Sequence, residues 1–529
     1  MATFFSAACP SCGAKIDIQS QTTLMVACPK CQSNLLFNNN SLALSGEHSA
    51  ILEDFSAIQI GSSGTIKNEA FQVIGRLQVQ YHDKDDQKKI GGTWNEWYIQ
   101  FASGKNGWLS DSNGNYVCLE KLEHDNTKPL PLPAFHDITV GKEIKLLPTS
   151  HSYYACDIRE AVLLQNAVQG ELPFIPKKNE AIRVVDARSE ERFITVDYSN
   201  NKEIEIFTGF AVDFHRLAWQ NLRTEREIQE TSGEFKGATQ ESKCPNCGGN
   251  IQWITGVTEN VNCRYCGSEI AINDNVAQLL KAHNIRSIQK QAMALEIGQK
   301  AKIDNKEWTV IGMMCQSELD GDQTQLAIQN KLKKDFVQFT HEQWHEYLLF
   351  SFPDQFMWLV QSGPNDWAVA TTQNIWPKIG HDMRPIHRTG QQLPRLYNYG
   401  GRVKFAIGSF YYQVSPGDMT YYVDYGREDQ KLSMEVTANE MSWSRATSIS
   451  NKRLNEWFKD SGGIKNVSTS APSSLVANTI KHQPTKNTAT LFFIIFLVIN
   501  IPVFLMDAQQ FIISAIIVGV LLHSVANND

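Results

Sequence analysis

The sequence predicts a mainly β protein in which one unit is used twice. Each unit is a zinc ribbon followed by small β-barrel- or sandwich-like subdomains, and a transmembrane helical hairpin follows near the C-terminus. Three observations carry this expectation. Two sets of paired C-x-x-C motifs share one spacing, a string of short motifs recurs in the same order after each set, and two uncharged apolar runs lie near the end.

With 529 residues the chain exceeds a single core. Its net charge of -7 gives no electrostatic reason to expect nucleic acid. Met1 to Ala8 has neither the basic stretch nor the apolar core of a secretory signal. Eight of the 11 cysteines lie in C-x-x-C pairs. The others, Cys118, Cys156 and Cys315, are scattered and odd in number, unlike a disulfide framework. Thiolates that bind zinc need a reducing compartment, which points to the cytosolic side.

The first ribbon, residues 1–40, carries Cys9, Cys12, Cys28 and Cys31. The second, residues 240–272, carries Cys244, Cys247, Cys263 and Cys266. Fifteen residues separate the pairs in both. Each C-x-x-C turn presents two sulfurs on one side of a tight knuckle, and two knuckles complete a tetrahedral four-sulfur site. Four thiolates leave no open coordination position, so zinc at both sites is expected to be structural. Gly13, Gly248 and Gly267 follow a second cysteine and let the knuckle close, whereas Gln32 departs from this pattern. The sharper alternative, a nucleic-acid knuckle, has only Lys15, Lys30, Lys243 and Arg264 to support it.

Motifs then repeat in order. Phe71-Gln-Val-Ile-Gly75 matches Trp308-Thr-Val-Ile-Gly312, and Trp94-Asn-Glu-Trp-Tyr98 matches Trp344-His-Glu-Tyr-Leu348. Trp108-Leu109 matches Trp358-Leu359, and Val196-Asp-Tyr198 is paired with Val423-Asp-Tyr425. Short β-branched runs between turn-forming stretches predict β modules at 50–128, 135–225, 292–375 and 395–448. Lys128 to Pro133 reads as an extended connector between modules. The aromatic residues read first as core and cross-strand pairs. Glu96 and Glu346, flanked by aromatics in both copies, are expected to be half-buried and paired, with a functional role as the alternative.

Apolar spacing predicts a helix from Asp274 to Ala294 and another from Arg216 to Gln229. Residues 462–488 read as a flexible linker. Leu491 to Met506 and Phe511 to Val525 are near the short limit for spans of about 20 residues, and residues 489–525 read as a transmembrane hairpin. Lys481 and Lys486 before the first run place the N-terminal region in the cytosol.

His341-Glu342-Gln343-Trp344-His345 matches H-E-x-x-H, which on a helix joins two imidazoles on one metal with the glutamate as base. The flanking residues read at least as well as strand. The matching stretch Gly91 to Asn95 has neither histidine. Gly61-Ser-Ser-Gly64 does not open a helix as a phosphate loop would.

The V-I-G strands, the W-x-E-aromatic segments, the Trp-Leu pairs, Gly170-Glu-Leu-Pro173 and the V-D-Y segments together resemble the uncharacterised bacterial domain of unknown function 4178 family, over most of 50–225 and 292–448. The second copy departs in having Gly408-Ser-Phe410 without the proline, so no role is assigned to Glu171. The resemblance implies tandem β-rich domains in the company of zinc ribbons and C-terminal membrane helices. It also implies genes beside those for polyamine aminopropyltransferases and small membrane proteins. It implies no established activity, and no catalytic residue is carried over. The resulting expectation is a non-enzymatic binding or scaffold protein of the bacterial inner membrane. Its large N-terminal region would be cytosolic and would meet a protein partner there, in an envelope-stress or polyamine-linked system. A metal-dependent hydrolase using His341, Glu342 and His345 and a nucleic-acid binder are the alternatives.

Overall fold

The computed structural model describes residues 3–465 apart from short breaks, the longest being 282–292. The expected linker beyond Lys465 and the membrane hairpin at 489–525 lie outside the described residues, as does most of the Lys128–Pro133 connector. No helix among the described residues is long and apolar enough to cross a membrane.

The second half closes into a barrel of eight antiparallel strands. Round the barrel these are Lys306–Leu319, Phe339–Ser351, Gln355–Gly363, Asp366–Thr372, Met441–Ile449, Gln430–Val436, Met419–Arg427 and Arg395–Phe410. Closure comes from Arg395–Phe410, which pairs back onto Lys306–Leu319 with Met313 opposite Ile407. The first half follows the same circuit through Glu69–His82, Ile90–Phe101, Asn106–Ser112, Asn115–Lys121, Glu205–Val212, Arg192–Asp197 and Ala181–Ser189. Its closing strand comes in two pieces. Ser152–Val162 pairs with Ala181–Ser189, and Ala167–Leu172 pairs with Glu69–His82.

This circuit corrects the expected module pairs. The stretches 50–128 and 135–225 share one sheet, and so do 292–375 and 395–448. Neither half of a copy can bury both edges of its strands alone, and closure removes those edges.

Strand alternation sends one set of side chains into each barrel and the other set outward. The outward apolar sets are covered by flanking chain. Around the first barrel, residues 58–66 and 214–222 pack over Phe71, Val73, Trp97 and Ile99. Around the second, the helix Asn451–Phe458 drops Leu454 and Phe458 onto Val310, Tyr347 and Leu359. Its Ser450 cap accepts from the Arg453 backbone N–H. The two halves meet where Tyr154 and Cys156 of the first pack with Trp376, Tyr421 and Trp443 of the second.

A pair of glycines sits at each barrel seam. Gly75 faces Gly170, and Gly312 faces Gly408. A Cβ on Gly75 would stand 1.7 Å from the Glu171 carbonyl oxygen, and one on Gly312 would stand 2.6 Å from that of Ser409. Gly170 and Gly408 also take positive φ, 63° and 88°. The sequence repeat therefore marks where two backbones come too close for any side chain.

Two expected helices change. Within the helix expected from Asp274 to Ala294, Val276–Lys281 is a strand paired with Glu269–Asn273, in a hairpin that extends the ribbon, while 274–275 and 282–292 lie outside the described residues. The helix expected from Arg216 begins only at Glu225, where Thr224 and Glu227 form a capping box.

Candidate metal centres and the barrel lumens

In each ribbon the four sulfurs lie within 4.8 Å of one another. Cys9 and Cys31 Sγ are 3.8 Å apart and Cys12 and Cys28 3.7 Å. Cys244 and Cys266 are 3.8 Å apart and Cys247 and Cys263 3.7 Å. A tetrahedral ion with metal–sulfur bonds of about 2.3 Å sets its sulfurs about 3.8 Å apart, so both clusters fit a metal ion.

The knuckles are built alike. In all four, the residue after the second cysteine donates its N–H to the carbonyl of the first, as Gly13 does to Cys9 at 2.9 Å. That residue takes positive φ, 73° at Gly13, 72° at Gly248, 73° at Gly267 and 57° at Gln32. Gln32 thus adopts the glycine conformation without being glycine. Ser33 Oγ lies 3.3 Å from Cys31 Sγ and, with the Ser33 N–H, lowers the Cys31 thiol, favouring the thiolate. Ser268 stands at the same place, 3.1 Å from Cys266.

Each ribbon is fused to its barrel at the glycine seam. Met25–Ala27 pairs with Ala167–Leu172, and Asn260–Asn262 with Arg395–Phe410. In the first copy buried Glu171 fixes the joint, accepting from the N–H groups of Gln19 at 2.8 Å and Ser20 at 3.1 Å and from Thr23 Oγ1 at 2.6 Å. Burial raises its pKa while those donors oppose the rise. In the second copy Ser409 takes this place, donating from Oγ to the Gln252 carbonyl at 3.0 Å. The donors to Glu171 come from a segment about 150 positions away, so no local pattern marks this role.

His341 to His345 lie on the strand Phe339–Ser351. Residues four apart on a strand are about 13 Å apart, beyond the reach of one metal ion. His345 is buried against Tyr347 and Gln361 outside the barrel, and burial lowers its pKa to about 4.

The lumens were not foreseen from sequence. Trp344 and Glu346 share a face of their strand. From that face Trp344 meets the rings of Tyr399 and Tyr422 at 5.7 and 6.1 Å, two and three strands round the barrel. Such contacts are made only across the inside of a barrel. Trp94 and Glu96 occupy the same places in the first copy. In both, the indole Nε1 donates to the carboxylate, at 2.7 Å for Glu96 and 2.6 Å for Glu346. Burial raises both acids to about 7. The expectation that these glutamates are half-buried and paired is met, with the neighbouring tryptophan as partner.

The register also corrects one motif match. Asp186 lies opposite Thr195, and Asp424 lies opposite Ser433. Asp424 therefore matches Asp186, so the Val196-Asp-Tyr198 pairing was a coincidence of three residues. With that register, Val117, Leu119, Phe193 and Phe207 correspond to Ala368, Ala370, Lys431 and Ser444. The first lumen is plugged by the apolar set. In the second, Ala368 and Ala370 keep partial access to water.

Glu346, Asp424 and Glu435 face the second lumen, and Asp366, on the strand face of Ala368 and Ala370, faces Lys431. Burial raises Glu346, Asp424 and Glu435 each to about 7. Ser433 Oγ donates to Asp424 at 2.6 Å, and Ser444 Oγ donates to Glu435. Lys431 Nζ lies 3.5 Å from Asp424 Oδ2 and against Tyr397, and burial lowers its pKa to about 8.

No curated protein and no solved structure matches the chain. The model of one family, described as a domain of unknown function (DUF4178), matches twice, at residues 59–214 and 296–451. Each match begins just before the first strand of a barrel and ends beside its last, and together they cover more than half of the 529 residues. The chain, with one barrel per match, therefore belongs to the DUF4178 family as a tandem-domain member.

Proposed function

We propose that this protein is a non-enzymatic binding or scaffold protein. Residues 489–525 would tether it to the bacterial inner membrane, and the barrels would face the cytosol to meet a protein or small ligand in an envelope-stress or polyamine-linked system. Zinc would fill both four-cysteine sites and contribute folding energy, since four thiolates leave no position for a substrate. The observation that carries this reading is the fusion of each ribbon to its barrel's closing strand. A metal at that seam braces a β scaffold. The strand at 339–351 tells against the hydrolase alternative, which needs His341 and His345 on one turn of helix.

Metal content and fractionation test this together. The full-length protein is expected to bind about two zinc ions per chain, unchanged by His345→Ala, and to sediment with membranes unless truncated after Lys465. A third ion lost in His345→Ala would overturn the reading in favour of the hydrolase. Soluble full-length protein would overturn the tether.

A further inference from the structure

The second lumen has a charge imbalance that its own residues do not settle. Among the described residues Glu346, Asp366, Asp424 and Glu435 share one lysine, Lys431, which lies beside Asp424 and faces Asp366. The donors recorded for Glu346 and Glu435 are neutral, the Trp344 indole and the Ser444 hydroxyl. Burying carboxylates without a counter-charge is costly.

A second observation is independent of the acids. Gln316 pairs with Trp344 across the ladder and so shares the lumen face. It is 3 % exposed, and its Oε1 has no hydrogen-bond partner among the described residues. A buried acceptor left without a donor costs about 1–3 kcal/mol. The site therefore lacks a donor as well as a positive charge.

The walls suit a cation. Tyr399 and Tyr422 stack at 4.9 Å beside Trp344. Aromatic faces attract ammonium groups most strongly where water is excluded. Lys431 already places its ammonium 4.7 Å from the centre of the Tyr397 ring. Room comes from Ala368, Ala370 and Ser444, where the first copy has Val117, Leu119 and Phe207.

Resting on the reading of the barrels as binding modules, we propose that the second lumen binds a primary alkylammonium cation, held by Glu346, Glu435 and Gln316 against Trp344, Tyr399 and Tyr422. A primary ammonium brings three N–H donors, one for each of two carboxylates and one amide oxygen, and its positive charge offsets part of the excess negative charge.

The test is calorimetric titration of the full-length protein in detergent, at pH 7.5 and constant ionic strength, with n-butylammonium chloride, sodium butyrate and 1-butanol. Saturable binding of butylammonium alone is expected. Glu435→Gln should weaken it by about tenfold or more, the scale of one charged hydrogen bond, and Ser444→Phe, which restores the first copy's plug, should abolish it. Both variants should keep the wild-type metal content as a check on folding. If Ser444→Phe misfolds, Glu346→Gln serves in its place. Butylammonium binding unchanged in these variants overturns the site. Butyrate or butanol binding that Ser444→Phe removes overturns the cation but leaves the barrel as a binding module. No saturable binding of any probe overturns the lumen as a site and, with it, the small-ligand half of the proposed function, while the tether and metal readings stand on their own tests.

Discussion

Thr23 Oγ1 donates to the carboxylate of Glu171 at 2.6 Å, and with the Gln19 and Ser20 N–H groups it ties the first ribbon to the first barrel. Glu171→Ala leaves three donors without their acceptor. Loss of about 3 kcal/mol is expected from denaturant titration. Ser409→Ala removes one hydrogen bond at the matching joint and should cost about 1 kcal/mol. Equal effects would mean that the two joints do not differ as the hydrogen bonds indicate.

The glycine seams make a graded prediction. Gly75→Ala drives a Cβ to 1.7 Å from a backbone oxygen, and Gly312→Ala drives one to 2.6 Å. Backbone on both sides limits relief, so Gly75→Ala should cost more than about 3 kcal/mol and Gly312→Ala less. The order of the two thermal midpoints checks this.

Gln32 holds a φ of 57° that the other three knuckles give to glycine. Gln32→Gly should stabilise the protein by about 1 kcal/mol, the cost of a left-handed non-glycine residue less the entropy glycine adds to the unfolded chain. A loss of stability on this substitution would show that the Gln32 side chain makes a contact worth more than its strain.

The lumen acids predict a pH dependence. Burial raises Glu346 and Glu435 from 4.5 to about 7. Glu346 faces Glu435, and Glu435 faces Asp424 and Glu440, with Lys431 beside Asp424. A folded pKa above the unfolded one gives stability that is full below pH 4.5 and is lost as pH rises through about 7. Glu435→Gln removes that loss. Relative to wild type without ligand, the variant should gain up to roughly 3 kcal/mol between pH 5 and pH 8. The metal sites are common to both proteins and cancel in the difference. A stability difference that stays flat with pH would refute the burial of this carboxylate as charge.

Local chemistry was legible where it is written in adjacent residues. The cysteine spacing identified both clusters, because a knuckle is a local turn. The Trp-x-Glu motif named the indole–carboxylate pairs, because residues two apart share a strand face. Closure was not legible. The modules read as separate because a barrel joins Asn115–Lys121 to Glu205–Val212 across a gap of over 80 residues, which leaves no local pattern. The helix expected at Asp274 failed for a related reason: three apolar residues at positions 276, 279 and 280 fit a short strand as well as a helix, and the partner strand decided.

By itself, the sequence determined the repeat, the two four-cysteine clusters and membership of a β-rich tandem family. Each of these depends on spacing within a short stretch. Only the tertiary structure decided that the second copy closes into a barrel and the first follows the same circuit, that the ribbons are fused at the glycine seams, and that apolar side chains fill the first lumen where the second has alanine and serine. Whether a side chain faces a lumen depends on strand register, and whether that lumen is full depends on volumes contributed by several strands distant in sequence.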